Sequence, residues 1–171
     1  MQAVRMNEGI GTSLTDVYSI TVELHESSSP YNLIATTNSI LQTNGTASAN
    51  FSSVTNGNYY VVIKHRNSLE TWSQNPITIP SSTTYDFTTS ANKAYGSNQM
   101  EVENGVWAIY SGDINQDGNI DLLDASFLEL DINNFEFGYF NTDLNGDGNV
   151  DLVDGPILEN NISNFIYSIH P

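Results

Sequence analysis

The sequence predicts a mainly β chain with a small helical end. An antiparallel β-sandwich of about seven strands occupies 1–110, connecting segment included, and a module of two loop-helix units occupies 111–171. Three observations carry this. From Val17 to Thr89 the apolar residues alternate with a period of two, as in strands with one buried face. After Ser111 an internal repeat with an offset of 30 takes over. Charge changes at the same place: 12 of the 20 acidic residues lie between Asp113 and Glu159, whereas all four basic residues (Arg5, Lys64, Arg66, Lys93) lie upstream.

In the β region, VYSITVELH directs Ile20, Val22 and Leu24 inward, with Thr21, Glu23 and His25 outward. In GNYYVVIKHR one face holds Tyr59, Val61 and Ile63; the other, with Tyr60, Val62, Lys64 and Arg66, is expected to be the wetter. Turns are expected at SSSPYN (27–32), TNGT (43–46), TNGN (55–58) and PSS (80–82). Residues 92–104 read as a connection, and VWAIY (106–110) as a last strand or a contact between the modules. MQAVRMNEG has no apolar stretch of the signal-peptide kind, so the chain reads as a piece of a longer protein.

In the helical module Asp113, Asp117, Asp121 and Asp124 recur as Asp143, Asp147, Asp151 and Asp154, and the echo runs on to Phe135 and Phe165. Each copy sets oxygen donors at calcium-loop spacing. The first has Asp113, Asn115 and Asp117 at positions 1, 3 and 5, the Asn119 carbonyl at 7, Asp121 at 9 and Asp124 at 12; the second has Asp143, Asn145, Asp147, Asn149, Asp151 and Asp154. Gly118 and Gly148 at position 6 permit the positive φ that wraps the chain around an ion. Four carboxylates per loop repel one another until a divalent cation intervenes, and flexible all-oxygen ligation favours calcium over magnesium. Two structural calcium ions are therefore expected; each would add roughly 4 kcal/mol to folding at about 1,000 times its dissociation constant. Ile120 and Val150, at position 8, are expected to pair the two loops through a short strand contact and to add to a shared core. Pro156, where the first copy has Ser126, should delay or distort the second helix.

The loops GDINQDGNIDLLD and TDLNGDGNVDLVD end in Asp rather than Glu, and no helix precedes the first. In this they resemble the dockerin type I repeat of secreted bacterial polysaccharide-degrading systems, over residues 111–168. The resemblance implies calcium-dependent folding and attachment to a cohesin-like protein partner. The family's partner contacts fall at loop positions 10 and 11, often Ser/Thr, which here are Leu122, Leu123, Leu152 and Val153. The upstream strand TNGNYYVVIKHR looks similar to transthyretin-like or carboxypeptidase-regulatory-like modules.

The net charge of -16 disfavours nucleic acid and anionic membranes as partners, and no apolar run of membrane-spanning length occurs. Cysteine is absent, which removes disulfides and thiolate sites. No nucleophile elbow, zinc-protease motif, phosphate loop or dinucleotide fingerprint is present, so the chain is not expected to be an enzyme. Lys64, His65, Arg66 and Trp72 are the one basic and aromatic cluster. It reads first as a strand end with Trp72 partly buried, and second as a glycan patch. The expected function is calcium-stabilised attachment of a secreted or cell-surface bacterial protein. The rival readings are a self-assembling filament or surface-layer subunit and a carbohydrate-binding module.

Overall fold

The computed structural model describes residues 9–79 and 83–171. The MQAVRMNEG segment up to residue 8 and the turn expected at 80–82 lie outside the described residues. Five strands form one antiparallel sheet: β1 (Asp16–Glu26), β2 (Leu33–Gln42), β3 (Gly57–His65), β4 (Ser68–Trp72) and β5 (Ile77–Ile79). The order is β2-β1-β3-β4, with β5 pairing the early half of β3. β6 (Met100–Glu103) and β7 (Val106–Ala108) make a separate two-stranded ribbon. Two helices follow, α1 (Leu122–Asn134) and α2 (Gly155–Ser163).

The alternation in β1 places Ile20, Val22 and Leu24 on a buried face with Val61 of β3; the register pairs Val22 with Ile63 and Leu24 with Val61. Phe51, Val54 and Phe87 cover this face. Loops and turns, rather than a second large sheet, thus close the core among the described residues.

The other face of β3 departs from expectation. Tyr60 and Val62 are buried together with Trp72, and Tyr31 and Tyr95 pack against them. Edge-on ring contacts join Tyr60 to Trp72 at 5.8 Å, to Tyr31 at 5.9 Å and to Tyr95 at 6.2 Å, a geometry aromatic rings favour. The expected wet face is therefore a second apolar layer, assembled from residues distant in sequence. Glu23 is buried on this side as well, and its charge is met by Lys64 at 3.1 Å and by His25 at 2.9 Å.

A third core lies in the helical module, where Ile114, Ile120, Leu128, Leu144, Val150 and Leu158 are buried around Leu69. Leu69 belongs to β4, so the sheet contributes a side chain to the core of the following module. The crossing chain is tied to the same place: Leu69 N donates to Tyr110 O at 2.9 Å and Gly112 N to Asn67 O at 2.7 Å. VWAIY divides between both expected roles, with Val106–Ala108 in β7 and Tyr110 against the third core.

Candidate calcium loops and partner-facing surface

Each acidic loop is shaped by its own side chains. In the first, Asp113 Oδ1 accepts from Asp117 N at 3.1 Å and Oδ2 from Gly118 N at 3.2 Å. Asp124 closes the loop, with Oδ1 accepting from Ile114 N at 2.8 Å and Asn115 N at 3.2 Å, and Oδ2 from Asp121 N at 2.9 Å. The second loop repeats the scheme. Asp143 accepts from Asp147 N and Gly148 N at 3.2 Å each, and Asp154 from Leu144 N, Asn145 N and Asp151 N at 2.8, 3.0 and 3.0 Å. Gly118 and Gly148 both have φ of +87°, the left-handed region that glycine enters freely.

The last loop residues also start the helices. Asp121 accepts from Leu123 N at 2.7 Å while Asp124 accepts from Asp121 N, a reciprocal capping box for α1. Asp151 and Asp154 make the same bonds, yet α2 begins only at Gly155. Pro156 has no N–H to continue a turn begun at Leu152, so the second helix starts late and spans 9 residues against 13.

The two loops do not pair with each other, contrary to expectation. Ile120 N donates to Ile166 O at 3.0 Å, and Val150 N donates to Glu136 O at 3.2 Å. Each loop thus pairs with the chain that leaves the other helix, and bridges join Asn119 to Tyr167 and Asn149 to Phe137. The shared core expected of Ile120 and Val150 does form.

The electrostatics separate two kinds of carboxylate. Burial pushes the Asp113 carboxyl up to about 6; the Gly118 N–H opposes this, and the nearby Asp124 and Asp117 charges reinforce it. Burial likewise raises Asp143. Asp117 is held low mainly by the Asn115 amide, and Asp147 by the Asn149 N–H. A divalent cation fits this all-oxygen donor set, since it would relieve the crowding at Asp113. As the side chains stand, no three carboxylate or imidazole groups converge among the described residues. The Asn115 amide donates to Asp117 Oδ2 at 2.8 Å and the Asn145 amide to Asp147 Oδ2 at 3.1 Å. Those contacts would open if both members of each pair turned to one ion.

The hairpin tip between β3 and β4 reaches both loops, a relationship that no motif announced. Arg66 Nη2 donates to Asp143 O at 3.2 Å, and the Asn67 amide donates to Asn141 O at 2.9 Å and Asp143 O at 3.2 Å. Gln116, at position 4 of the first loop with φ of +61°, donates to Ser68 O at 3.3 Å. The Arg66 guanidinium lies 4.3 Å from the Tyr139 ring centroid and 5.2 Å from that of Tyr18. Within the basic cluster Trp72 is only 7% exposed and Arg66 is built into the junction, so the packing favours the strand-end reading with Trp72 buried over a glycan platform.

Leu122, Leu123, Leu152 and Val153 lie on the surface, at 75%, 52%, 80% and 63% exposure. Sequence reasoning missed their continuation along α1, where Phe127 and Leu130 are also exposed, and the exposed rings of Phe135 and Phe165. The signal was available: Leu130 corresponds to Asn160 at the offset of 30. No described helix is long and apolar enough to cross a membrane.

Residues 111–163 match the family described as the dockerin type I domain. Modules of that family are non-catalytic, mediate assembly and bind calcium. The match covers less than half of the chain. Two crystal structures from Acetivibrio cellulolyticus are similar to this fold: an N-terminal interface mutant and a C-terminal interface mutant of a type II cohesin-X-dockerin complex. Each has a TM-score of 0.48 and 20% sequence identity, covering 88% of this chain and 86% of the other. No curated protein matches the chain.

Proposed function

We propose that this chain is an attachment segment of a secreted or cell-surface bacterial protein, which docks through residues 111–163 onto a cohesin-like domain. The observation that carries the reading is the duplicated loop-helix unit: two copies share one set of backbone bonds, within the segment that matches the dockerin type I family. Two calcium ions are assigned, one per loop. Asp113, Asn115, Asp117, Asp124 and the Asn119 carbonyl would hold the first, with Asp121 acting through water. Asp143, Asn145, Asp147, Asp154 and the Asn149 carbonyl would hold the second, with Asp151 in the same outer role. Each ion supplies positive charge that neutralises its loop. The side chains shape the loops, start the helices and hold Leu122, Leu123, Leu152 and Val153 outward as contact residues. The β module, likened by TNGNYYVVIKHR to transthyretin-like modules, serves as a rigid support.

Calorimetric calcium titration of the chelator-stripped chain should give two bound ions per chain and a large rise in melting temperature. Capture on a panel of immobilised cohesin domains should then require calcium. Replacing the four apolar contact residues with Glu should abolish capture and leave calcium affinity unchanged. Capture that survives the fourfold replacement overturns the contact assignment, and a chain that binds no calcium overturns the whole reading.

A further inference from the structure

The outer side of α1 is apolar along its length. Leu123, Phe127 and Leu130 are spaced four and three residues apart, so they form one stripe of the helix, and they are 52%, 40% and 56% exposed. The inner side is already used, with Leu128 in the module core and Asp124 closing the loop. A helix apolar on both sides calls for cover on both, and among the described residues only one is covered.

Beside the stripe runs a groove of about 460 Å³, lined by Ile114, Asn115, Phe127, Asp131, Tyr139 and Phe140. Its carboxylate, Asp131, accepts from Thr142 Oγ1 at 2.6 Å. No cation forms an ion pair with Asp131 among the described residues. Arg66 lies over the Tyr139 ring but directs its guanidinium to Asp143 O. The chain has no Lys or Arg after Lys93, so the helical module supplies no Lys or Arg of its own to this carboxylate.

The second repeat lacks this arrangement. At the offset of 30, Phe127 becomes Ile157, Leu130 becomes Asn160 and Asp131 becomes Asn161. Asn161 is buried and donates to Ser111 O at 2.6 Å. The exposed residues of α2 are Pro156, Glu159, Asn160 and Ser163, which make no apolar stripe.

We propose that the α1 stripe and its groove are the docking face for a protein partner whose apolar patch bears a projecting Lys or Arg. The methylenes of that side chain lie against Phe127 and its charged head meets Asp131. Because the repeat breaks its own symmetry here, the partner docks in one orientation. The inference rests on the docking reading above and adds to it the chemistry of the partner.

Two measurements on the calcium-loaded full chain separate the two ideas. The first needs no partner: an NMR titration with n-butylguanidinium, with pentanoate as control. Saturating shifts at Phe127, Asp131 and Phe140 with the cation alone, lost in Asp131→Asn, support the groove. Equal response to both ions, no response, or a response retained in Asp131→Asn overturns it. The second uses any cohesin domain that captures the chain. Phe127→Glu and Leu130→Glu should each weaken binding by roughly 30-fold or more, while Asn160→Glu and Ser163→Glu, on the exposed side of α2, change it by less than about threefold. Equal losses on both repeats overturn the single orientation. If no cohesin binds while the cation seats, the cohesin reading fails and the groove stands.

Discussion

The side-chain amide of Asn67 donates to the main-chain oxygen of Asp143 at 3.2 Å, so the tip of a β-hairpin holds the first residue of the second acidic loop. The same amide reaches Asn141 O at 2.9 Å, and Asn67 is 3% exposed. Two acceptors therefore share one buried donor group, and Asp143 O also accepts from Arg66 Nη2 at 3.2 Å. Asn67→Ala should destabilise the chain by about 2 kcal/mol, from two hydrogen bonds lost at a site that water reaches poorly. Urea denaturation measures this. A loss confined to the β region, with calcium affinity untouched, would contradict the coupling of tip and loop.

Leu69 extends the coupling to the cores. It is fully buried among Ile114, Ile120, Leu128, Leu144, Val150 and Leu158, although it belongs to β4. Leu69→Ala should cost about 3 kcal/mol, as deletion from a packed core does. More tellingly, the wild-type chain should melt in one transition whether followed by tryptophan fluorescence from the β region or by helical circular dichroism. Two separated transitions would mean that the modules unfold independently.

His65 makes the junction sensitive to acid. Burial, reinforced by the Arg66 charge, lowers its imidazole from 6.5 to about 3. Its Nδ1 meets Ser68 Oγ at 3.1 Å, while Nε2 is buried without a partner. The folded state therefore holds the ring neutral where the unfolded state protonates it. The resulting stability is complete above about pH 6.5 and is lost as pH falls toward 3. The raised carboxyls of Asp113 and Asp143 act in the opposite sense but are common to both chains, so between pH 7 and pH 4 His65→Gln should lose less denaturation midpoint than the wild-type chain. An equal loss in the variant would place the acid sensitivity elsewhere.

The repeat was legible because an ion-binding loop constrains residue types at fixed positions, and Asp113 to Asp124 and Asp143 to Asp154 follow one spacing. The inward side of β1 was legible because Ile20, Val22 and Leu24 alternate cleanly. The outer face of β3 was not, since Tyr60 and Val62 are covered by Tyr31 and Tyr95, whose approach depends on tertiary packing. Loop pairing was misjudged for a similar reason. Ile120 and Val150 invited a direct contact, but segments 166–168 and 136–138 leave the opposite helices and arrive there first. Nothing periodic marks Arg66 and Asn67, because a two-residue turn has no repeating pattern to read.

Gly112 offers the sharpest test of how closely the crossing chain is packed. Its φ is +122°, and a Cβ there would stand 2.9 Å from Leu158 Cδ1 and 3.0 Å from Ile120 Cγ2. Both neighbours are core residues, at 1% and 3% exposure, so neither has free space to withdraw. Gly112 also immediately precedes Asp113, and its N–H is bonded to Asn67 O at 2.7 Å. Gly112→Ala should therefore combine backbone strain with overpacking, a loss of about 2 to 4 kcal/mol. Gly105→Ala is a suitable control: φ is +76° there, but nothing lies within 4 Å of the added carbon, so only the strain of about 1 kcal/mol applies. Equal losses in the two variants would show that the approach of Leu158 and Ile120 contributes nothing. A larger loss in Gly112→Ala, together with weaker calcium binding, would show that the packing of the crossing chain governs the first loop.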